Sequence, residues 1–253
     1  MLTRGGGASS KGASEHAQAM ATRGGGASSK GASEHELALA STNVGLPGLA
    51  INGPNFEKNH GKKVRQVFAA LLGGSTKCAG LRCCELGNVD NPCSEEGKEK
   101  INQCIIQAFE DAGAAEHKKK KAGQPYNKMV LQSTESPPQI YWYSTCVAAF
   151  VPQLQVQVLD PIEDMPRVDR WRCAQRFLLR MGDDNNDGWL LVYNTHTSLL
   201  ATITTSKKNQ RIDFCKAIVR ASNDYAKTEK NLIGFALGGD AKCNIAQWST
   251  AMY

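Results

Sequence analysis

Polar side chains suited to phosphate chemistry stand where apolar, strand-like segments of this sequence end. Asn52 closes LAIN, Glu85 follows LRCC, and Asn194 and His196 close WLLVYNTH. Asp240 comes directly after LIGFALGG. Because α/β proteins place their sites where strands end, we expect these side chains to gather at one edge of a sheet.

The residue types in this set indicate one kind of chemistry. Carboxylate and amide oxygens are hard ligands that suit Mg²⁺ better than a soft metal. A histidine beside such a site can protonate a leaving oxygen or position a phosphate, as metal-assisted phosphodiester hydrolysis requires. Taken alone, each residue also has an ordinary interpretation: His196 as a structural histidine, Glu85 as a surface residue and Asp240 as a turn former.

The order of these short motifs resembles the endonuclease/exonuclease/phosphatase superfamily, which includes deoxyribonuclease I. The resemblance spans about Leu46 to Asn244, and its stronger half is VYNTHT and LGGD with an amphipathic helix between them. The matching positions, in chain order, are Asn52 (or Asn55), Glu85, Arg172, Asn194, His196 and Asp240.

That resemblance implies a fold and a metal site. The fold is of the α/β class, a four-layer α/β sandwich in which two packed β-sheets are flanked by helices. Glu85 and Asn52 would lie at Mg²⁺ or Mn²⁺, with Asn52 also orienting phosphate or water.

The resemblance also implies roles for the other four positions. Asn194 would orient phosphate or water, and Arg172 would lie close to the site. His196 would stabilise or protonate the phosphoryl oxygens, and Asp240 would help to align the nucleophile.

Two departures from the family pattern bear on activity. The family has Asn two residues after the Asp, whereas this position holds Lys242, and Asn244 comes two residues later. The family also ends on a second Asp-His pair, but neither residue type follows Asp240 before Tyr253. We therefore expect a sandwich that is incomplete at the C-terminus, with impaired activity, because general base catalysis is worth about 10²–10⁴ in rate.

Periodicity predicts the elements that position these residues. In the first part of the domain the prediction is strand, helix, strand, helix, with Ser94 as the N-cap of the second helix and Gly113 as its end. The ranges of the first three elements are Leu46–Asn52, Gly61–Leu72 and Ala79–Leu86. A polar link, Glu116–Lys121, follows the second helix.

The second part is predicted to be rich in strands. Apolar and alternating runs favour strands at Met129–Ser133, Gln139–Phe150, Leu154–Leu159 and Leu232–Leu237. Arg172–Met181 and Trp189–His196 are predicted to form a hairpin, and Lys208–Tyr225 a helix. Helices that alternate with apolar strands favour sheets covered by helices.

The N-terminal segment differs from the rest in composition. TRGGGASSKGASEH occupies Thr3–His16 and recurs at Thr22–His35. A segment of Gly, Ala and Ser buries too little apolar surface to offset its ordering entropy. Residues 1–44 are therefore predicted to be a disordered tail, and residues 45–253 to be the family-like domain.

Composition excludes some classes of protein. The 253 residues carry a net charge of +6, and their mean hydropathy is −0.38. The longest apolar stretch, Tyr141–Pro152, is too short for a membrane span. Nine cysteines without a CxxC pair favour a reducing, intracellular location, cytoplasmic or nuclear.

Three further motifs have two interpretations each. The loop 183–188 copies the first half of a calcium-binding EF-hand loop, but a hairpin turn is favoured. Lys118–Lys121 is typical of a solvated loop, and otherwise of a nuclear-localisation or nucleic-acid patch. The aromatic run Tyr141–Tyr143 favours packing on both faces of a sheet over stacking on bases.

The sequence as a whole predicts a metal-dependent phosphoester hydrolase of the nuclease or phosphodiesterase kind. Its expected partner is a phosphate-containing substrate, a nucleic acid in the first instance, and no membrane. The alternative is a catalytically inactive member of the family that binds a nucleic acid or a protein. A third interpretation is a small α/β protein without phosphate chemistry.

Overall fold

The computed structural model describes residues 39, 46, 48–72, 87–88, 91–132, 136–143, 146–162, 173–181, 188–196 and 205–240. At positions 49, 71, 87–88, 91–92, 173, 196, 205–211 and 239–240 it describes the backbone alone. Residues 1–38 and 40–44 of the predicted tail, the predicted strand Ala79–Leu86 and the acidic loop 183–187 lie outside these ranges.

Five α-helices lie within the described ranges. They are α1 (Gly48–Asn52), α2 (Lys62–Leu72), α3 (Glu95–Lys121), α4 (Lys128–Gln132) and α5 (Thr205–Thr228). A π-helical turn, Glu57–Gly61, leads directly into α2. Ser94 caps α3, because its Oγ accepts a hydrogen bond of 3.0 Å from the Gly97 amide, and Glu95 and Glu96 suit the positive end of the helix dipole.

The strands form three sheets within the described residues. Strands β1 (Gly87–Asn88) and β2 (Asn91–Pro92) pair antiparallel over two residues each. Strands β3 (Gln139–Tyr143) and β4 (Cys146–Phe150) form an antiparallel hairpin with five residues in each strand. The third sheet has four strands in the order β5-β6-β7-β8. They are β5 (Val156–Ile162), β6 (Cys173–Met181), β7 (Gly188–His196) and β8 (Leu232–Asp240).

The hairpin β3–β4 lies between the helices and the four-stranded sheet. On one face, Trp142 donates a hydrogen bond of 2.8 Å to Asn102 of α3. On the other face, the Phe150 ring meets Phe177 of β6 at 5.1 Å between centroids. Because every residue of β4 is buried, both faces of this strand are covered.

The second face of the four-stranded sheet packs against α5. Alternate residues of β6 and β7 face opposite sides, so that Leu191 and Tyr193 join a second core with Phe214 and Ile218 of α5. The layers are therefore helices, β3–β4, β5–β8 and α5, which confirms the predicted four-layer α/β sandwich of two packed sheets flanked by helices.

Two segments predicted as strands are helical. Leu46–Asn52 contains α1, and Met129–Ser133 contains most of α4. Both are apolar runs of only a few residues, in which strand and helix periods cannot be told apart. Their contacts with α3 decide the outcome, since Ile51 and Val130 are fully buried in the same core as Ile105.

The predicted end of α3 at Gly113 is also wrong, and Glu116–Lys121 is helix rather than a polar link. Gly113 is buried within the helix, and the alanines around it are strong helix formers. The helix ends before Gly123, whose φ of 69° is the left-handed conformation that suits glycine.

The remaining predicted elements are confirmed. They are the helix in Gly61–Leu72, the Ser94 cap, the hairpin of β6 with β7, and the elements α5, β5 and β8. The predicted strand Gln139–Phe150 is present as the two strands β3 and β4. Among the helices that the structure describes, none is both long and apolar enough to cross a bilayer.

Candidate functional site

The carboxyl ends of β7 and β8 bring two of the predicted residues together. These strands are parallel, and α5 lies between them in the chain, as a parallel connection requires. Their register pairs His196 with Asp240 at the last position of each strand. The same register pairs Asn194 with Gly238, so three predicted positions lie within one short stretch of the sheet edge.

A third strand extends this edge. Cys173, the first residue of β6, is the register partner of His196 on the side away from β8. Arg172 itself lies outside the described residues, but it directly precedes Cys173 in the chain. The start of β6 and the ends of β7 and β8 therefore lie side by side in the sheet. Arg172 is the residue that precedes β6 in the sequence.

Asn194 is fully buried and joins the two packed sheets. Its Nδ2 donates to Gln175 Oε1 at 2.7 Å and to the backbone oxygen of Val147 at 3.3 Å. Gln175 in turn donates from Nε2 to the backbone oxygen of Tyr141 at 3.2 Å. The two amides thus connect β7 and β6 to both strands of the β3–β4 hairpin, and a buried network of this kind fixes the orientation of its members.

Gln175 is a residue that the sequence argument missed. It occupies the same face of β6 as Phe177 and Leu179, both of which are buried in the core between the sheets. A polar residue on an otherwise apolar face needs a buried partner, because burying an amide without one is costly. That break in the alternating pattern of CAQRFLL was the signal in the sequence.

Asn52 lies in a different setting from the predicted one. It ends α1 rather than a strand, and its Oδ1 accepts hydrogen bonds from both the amide and the hydroxyl of Ser94, each at 2.9 Å. A side chain at Gly97 would bring Cβ within 2.5 Å of the same oxygen, so α1 and α3 meet closely here. Asn52 thereby ties α1 to the first turn of α3, and the alternative Asn55 is exposed.

The described residues do not build a magnesium site. An amide oxygen has two lone pairs, and Ser94 occupies both of those on Asn52 Oδ1, which leaves none for a cation. Glu85, the other predicted ligand, lies outside the described residues. Among the described side chains, no three His, Cys, Asp or Glu residues are grouped as metal ligands would be.

Cysteine nucleophiles are a poor alternative at two positions, the half-buried Cys93 and the buried Cys104. Burial raises the pKa of the Cys104 thiol to about 11, and it raises that of Cys93 to about 11 as well. At neutral pH both are therefore thiols, whereas the thiolate is the nucleophilic form. Cys104 lies inside α3, where its Sγ is 3.9 Å from the Gly61 oxygen.

The aromatic run of β3 has a packing role. The Tyr141 ring lies 5.6 Å from that of Phe177 and 6.2 Å from that of Phe150, while Trp142 faces α3. Tyr141 and Trp142 thus pack on opposite faces of the hairpin, as the alternation predicted. They are not arranged as a platform for bases.

The solved structures that are similar to this chain include two of TDP2 from Caenorhabditis elegans. The truncated form is 15% identical with a TM-score of 0.35, over 55% of this chain and 58% of that one. The selenomethionine form is 15% identical with a TM-score of 0.35, over 56% and 44%. This chain thus spans about half the length of those it matches. Neither a family model nor a curated protein matches the sequence.

Proposed function

We propose that this protein is a phosphoester hydrolase of the endonuclease/exonuclease/phosphatase type, with its site at the carboxyl ends of β7 and β8. The observation that carries the proposal is the pairing of His196 with Asp240 across two parallel strands. The four-layer sandwich supports it, because both strands belong to a sheet that packs against the β3–β4 hairpin on one face and α5 on the other.

The proposed roles follow from the chemistry of each group. His196 protonates or stabilises the phosphoryl oxygens, which an imidazole can do as a proton donor. Asp240 aligns the attacking water, and Arg172, which directly precedes Cys173 in the sequence, would offer a planar cation that suits phosphate. Asn194 holds the end of β7 through its bonds to Gln175 and Val147, so that the residues after it are fixed in place.

Divalent metal dependence is a further part of the proposal. The resemblance assigns Mg²⁺ or Mn²⁺ to Glu85, and when bound the metal would neutralise charge on the phosphate. Because Asn52 does not fit as a ligand, we derive no step of the reaction through the metal. The proposed substrate class is a phosphodiester, a nucleic acid in the first instance, which the net charge of +6 favours only weakly.

The test is hydrolysis of bis(p-nitrophenyl) phosphate and of a labelled single-stranded DNA by the whole chain, with Mn²⁺, Mg²⁺ or EDTA. We expect turnover that needs the metal and that falls by at least about 100-fold in Asp240→Asn, since positioned acid–base groups contribute about that much or more. Asp224→Asn is the matched control, because Asp224 is an exposed acid of α5 whose described partner is Lys227 at 2.7 Å.

Two outcomes would contradict the proposal. Turnover that is equal in Asp240→Asn and Asp224→Asn would place the activity elsewhere or in a contaminant. The absence of turnover with either metal would end the hydrolase proposal, and retained DNA binding in that case would favour the non-catalytic alternative.

A further inference from the structure

The C-terminal end of α3 carries a concentration of exposed lysines. Lys118, Lys120 and Lys121 lie in its last turn, and Lys128 begins α4. All four are exposed, and none of them has an ion pair among the described residues. We call these four residues the lysine cluster.

The neighbouring lysine shows what distinguishes this cluster. Lys119 pairs with Glu116 at 2.7 Å between Nζ and Oε1, and that glutamate is almost wholly buried. The Glu116 carboxylate also binds the Asn127 amide. The acids that precede Glu116 in the helix, Glu110 and Asp111, are about two turns away from Lys118, or about 10 Å along the axis. Within the part of the chain that the structure describes, the four lysines of the cluster therefore have no carboxylate of their own.

These lysines are not needed to end the helix. The amides of Ala122, Gly123 and Gln124 donate to the oxygens of Lys118, Lys120 and Lys119, at 3.0–3.1 Å. This is the Schellman arrangement, with Gly123 in the left-handed conformation. Because backbone groups satisfy these carbonyls, the ammonium groups remain available to a partner.

An aromatic ring is fixed beside the cluster. Tyr126 is 41% exposed, and Lys120 Nζ lies 5.9 Å from the centroid of its ring. The next residue, Asn127, is buried, with its amide bonded to the Glu116 carboxylate and its Oδ1 accepting from Val130 at 3.3 Å. The loop is thus pinned to both helices, which holds the ring next to the lysines at little cost in entropy.

We propose that the lysine cluster and Tyr126 form a binding surface for single-stranded nucleic acid. Lysines supply point charges for successive phosphates, and an exposed ring stacks on any base. A lipid surface is a poorer fit, because Tyr126 is the one large exposed apolar group that the described residues place at this end of α3, among polar neighbours. An acidic peptide would use the charge but would leave the ring without a stacking partner.

Salt dependence tests the phosphate contacts. Fluorescence anisotropy of the whole chain with an oligothymidine of about 20 nucleotides, in EDTA, should give a slope of log K against log salt near −3 for four contacts, at about −0.7 each. The triple variant Lys118→Gln, Lys120→Gln, Lys121→Gln should make that slope shallower, by about 2, so that it lies near −1.

The matched control removes the same charge from lysines that already have partners. Lys98, Lys100 and Lys227 pair with carboxylates on their own helices, at 2.6–2.8 Å. Changing these three to glutamine should leave the slope within about 0.5 of the parent value. Equal losses in both triple variants would overturn the proposal, because they would reflect net charge alone.

Stacking is tested at Tyr126. Tyr126→Ala should weaken oligothymidine binding by about 5- to 100-fold, and Tyr126→Phe should retain it. An abasic oligonucleotide should bind Tyr126→Ala and the parent chain equally. Equal binding of both chains to oligothymidine, or tighter binding to phosphatidylserine vesicles or polyglutamate than to oligothymidine, would overturn the assignment. Binding in EDTA needs no turnover, so these results stand apart from the hydrolase test.

Discussion

Replacing His196 by alanine is expected to lower the rate of phosphoester hydrolysis by about 10²–10⁴-fold, which is the usual contribution of a positioned acid–base group. His196 is the last residue of β7 and lies between Cys173 of β6 and Asp240 of β8 in the register. Loss of its imidazole should lower kcat and kcat/KM together, because the group acts in the transition state rather than in binding.

The control for this variant is His117→Ala. His117 is exposed near the end of α3 and is not part of the proposed site, so its loss should leave the hydrolysis rate within about twofold; surface substitutions also change the free energy of unfolding by only about 0.5 kcal/mol. Steady-state kinetics on bis(p-nitrophenyl) phosphate, with unfolding curves for both variants, separate a lost group from a lost fold. If His196→Ala kept full activity, His196 would have no place in the reaction.

Phe177→Ala is expected to lower the free energy of unfolding by about 3–5 kcal/mol, the usual cost of emptying a buried phenylalanine site. Phe177 is fully buried between the two sheets, with the Phe150 ring at 5.1 Å and the Tyr141 ring at 5.6 Å. Urea denaturation measures the change, provided that the slope of the transition is unchanged.

Phe235→Ala provides the comparison for Phe177. Phe235 lies on β8 and is 49% exposed, so its loss should cost about 1 kcal/mol or less. A small change for Phe177→Ala, similar to that for Phe235→Ala, would mean that the two sheets do not pack as described. The four-layer arrangement, and with it the support for the strand ends, would then be wrong.

The elements that the sequence predicted correctly are those with a long, regular pattern. α2, α5 and β5–β8 repeat apolar residues over enough positions for one period to stand out. The strands predicted at Leu46–Asn52 and Met129–Ser133 failed because segments of only five to seven residues fit either period, and their burial against α3 makes them helical. Gly113 misled the prediction of a helix end because a glycine inside a helix looks the same in sequence as one after it.

For the candidate site, too, local pattern predicted some residues correctly and could not predict others. Local pattern could predict that Asn194, His196 and Asp240 lie near the ends of strands. The parallel register of β7 and β8 then places these residues together. Asn52 could not be placed, because its partner Ser94 is 42 residues away and the contact depends on how α1 meets α3. The bond between Gln175 and Asn194 likewise depends on the register of β6 with β7, which no local pattern gives.

The most direct test of the central claim is a double-mutant cycle on hydrolysis with His196→Ala and Asp240→Asn. If both residues act in one site, the double variant should be no slower than the slower single variant, since groups that act as a unit give strongly non-additive losses. Losses that multiply in the double variant would show that the two residues act independently, and they would contradict a shared site at the ends of β7 and β8.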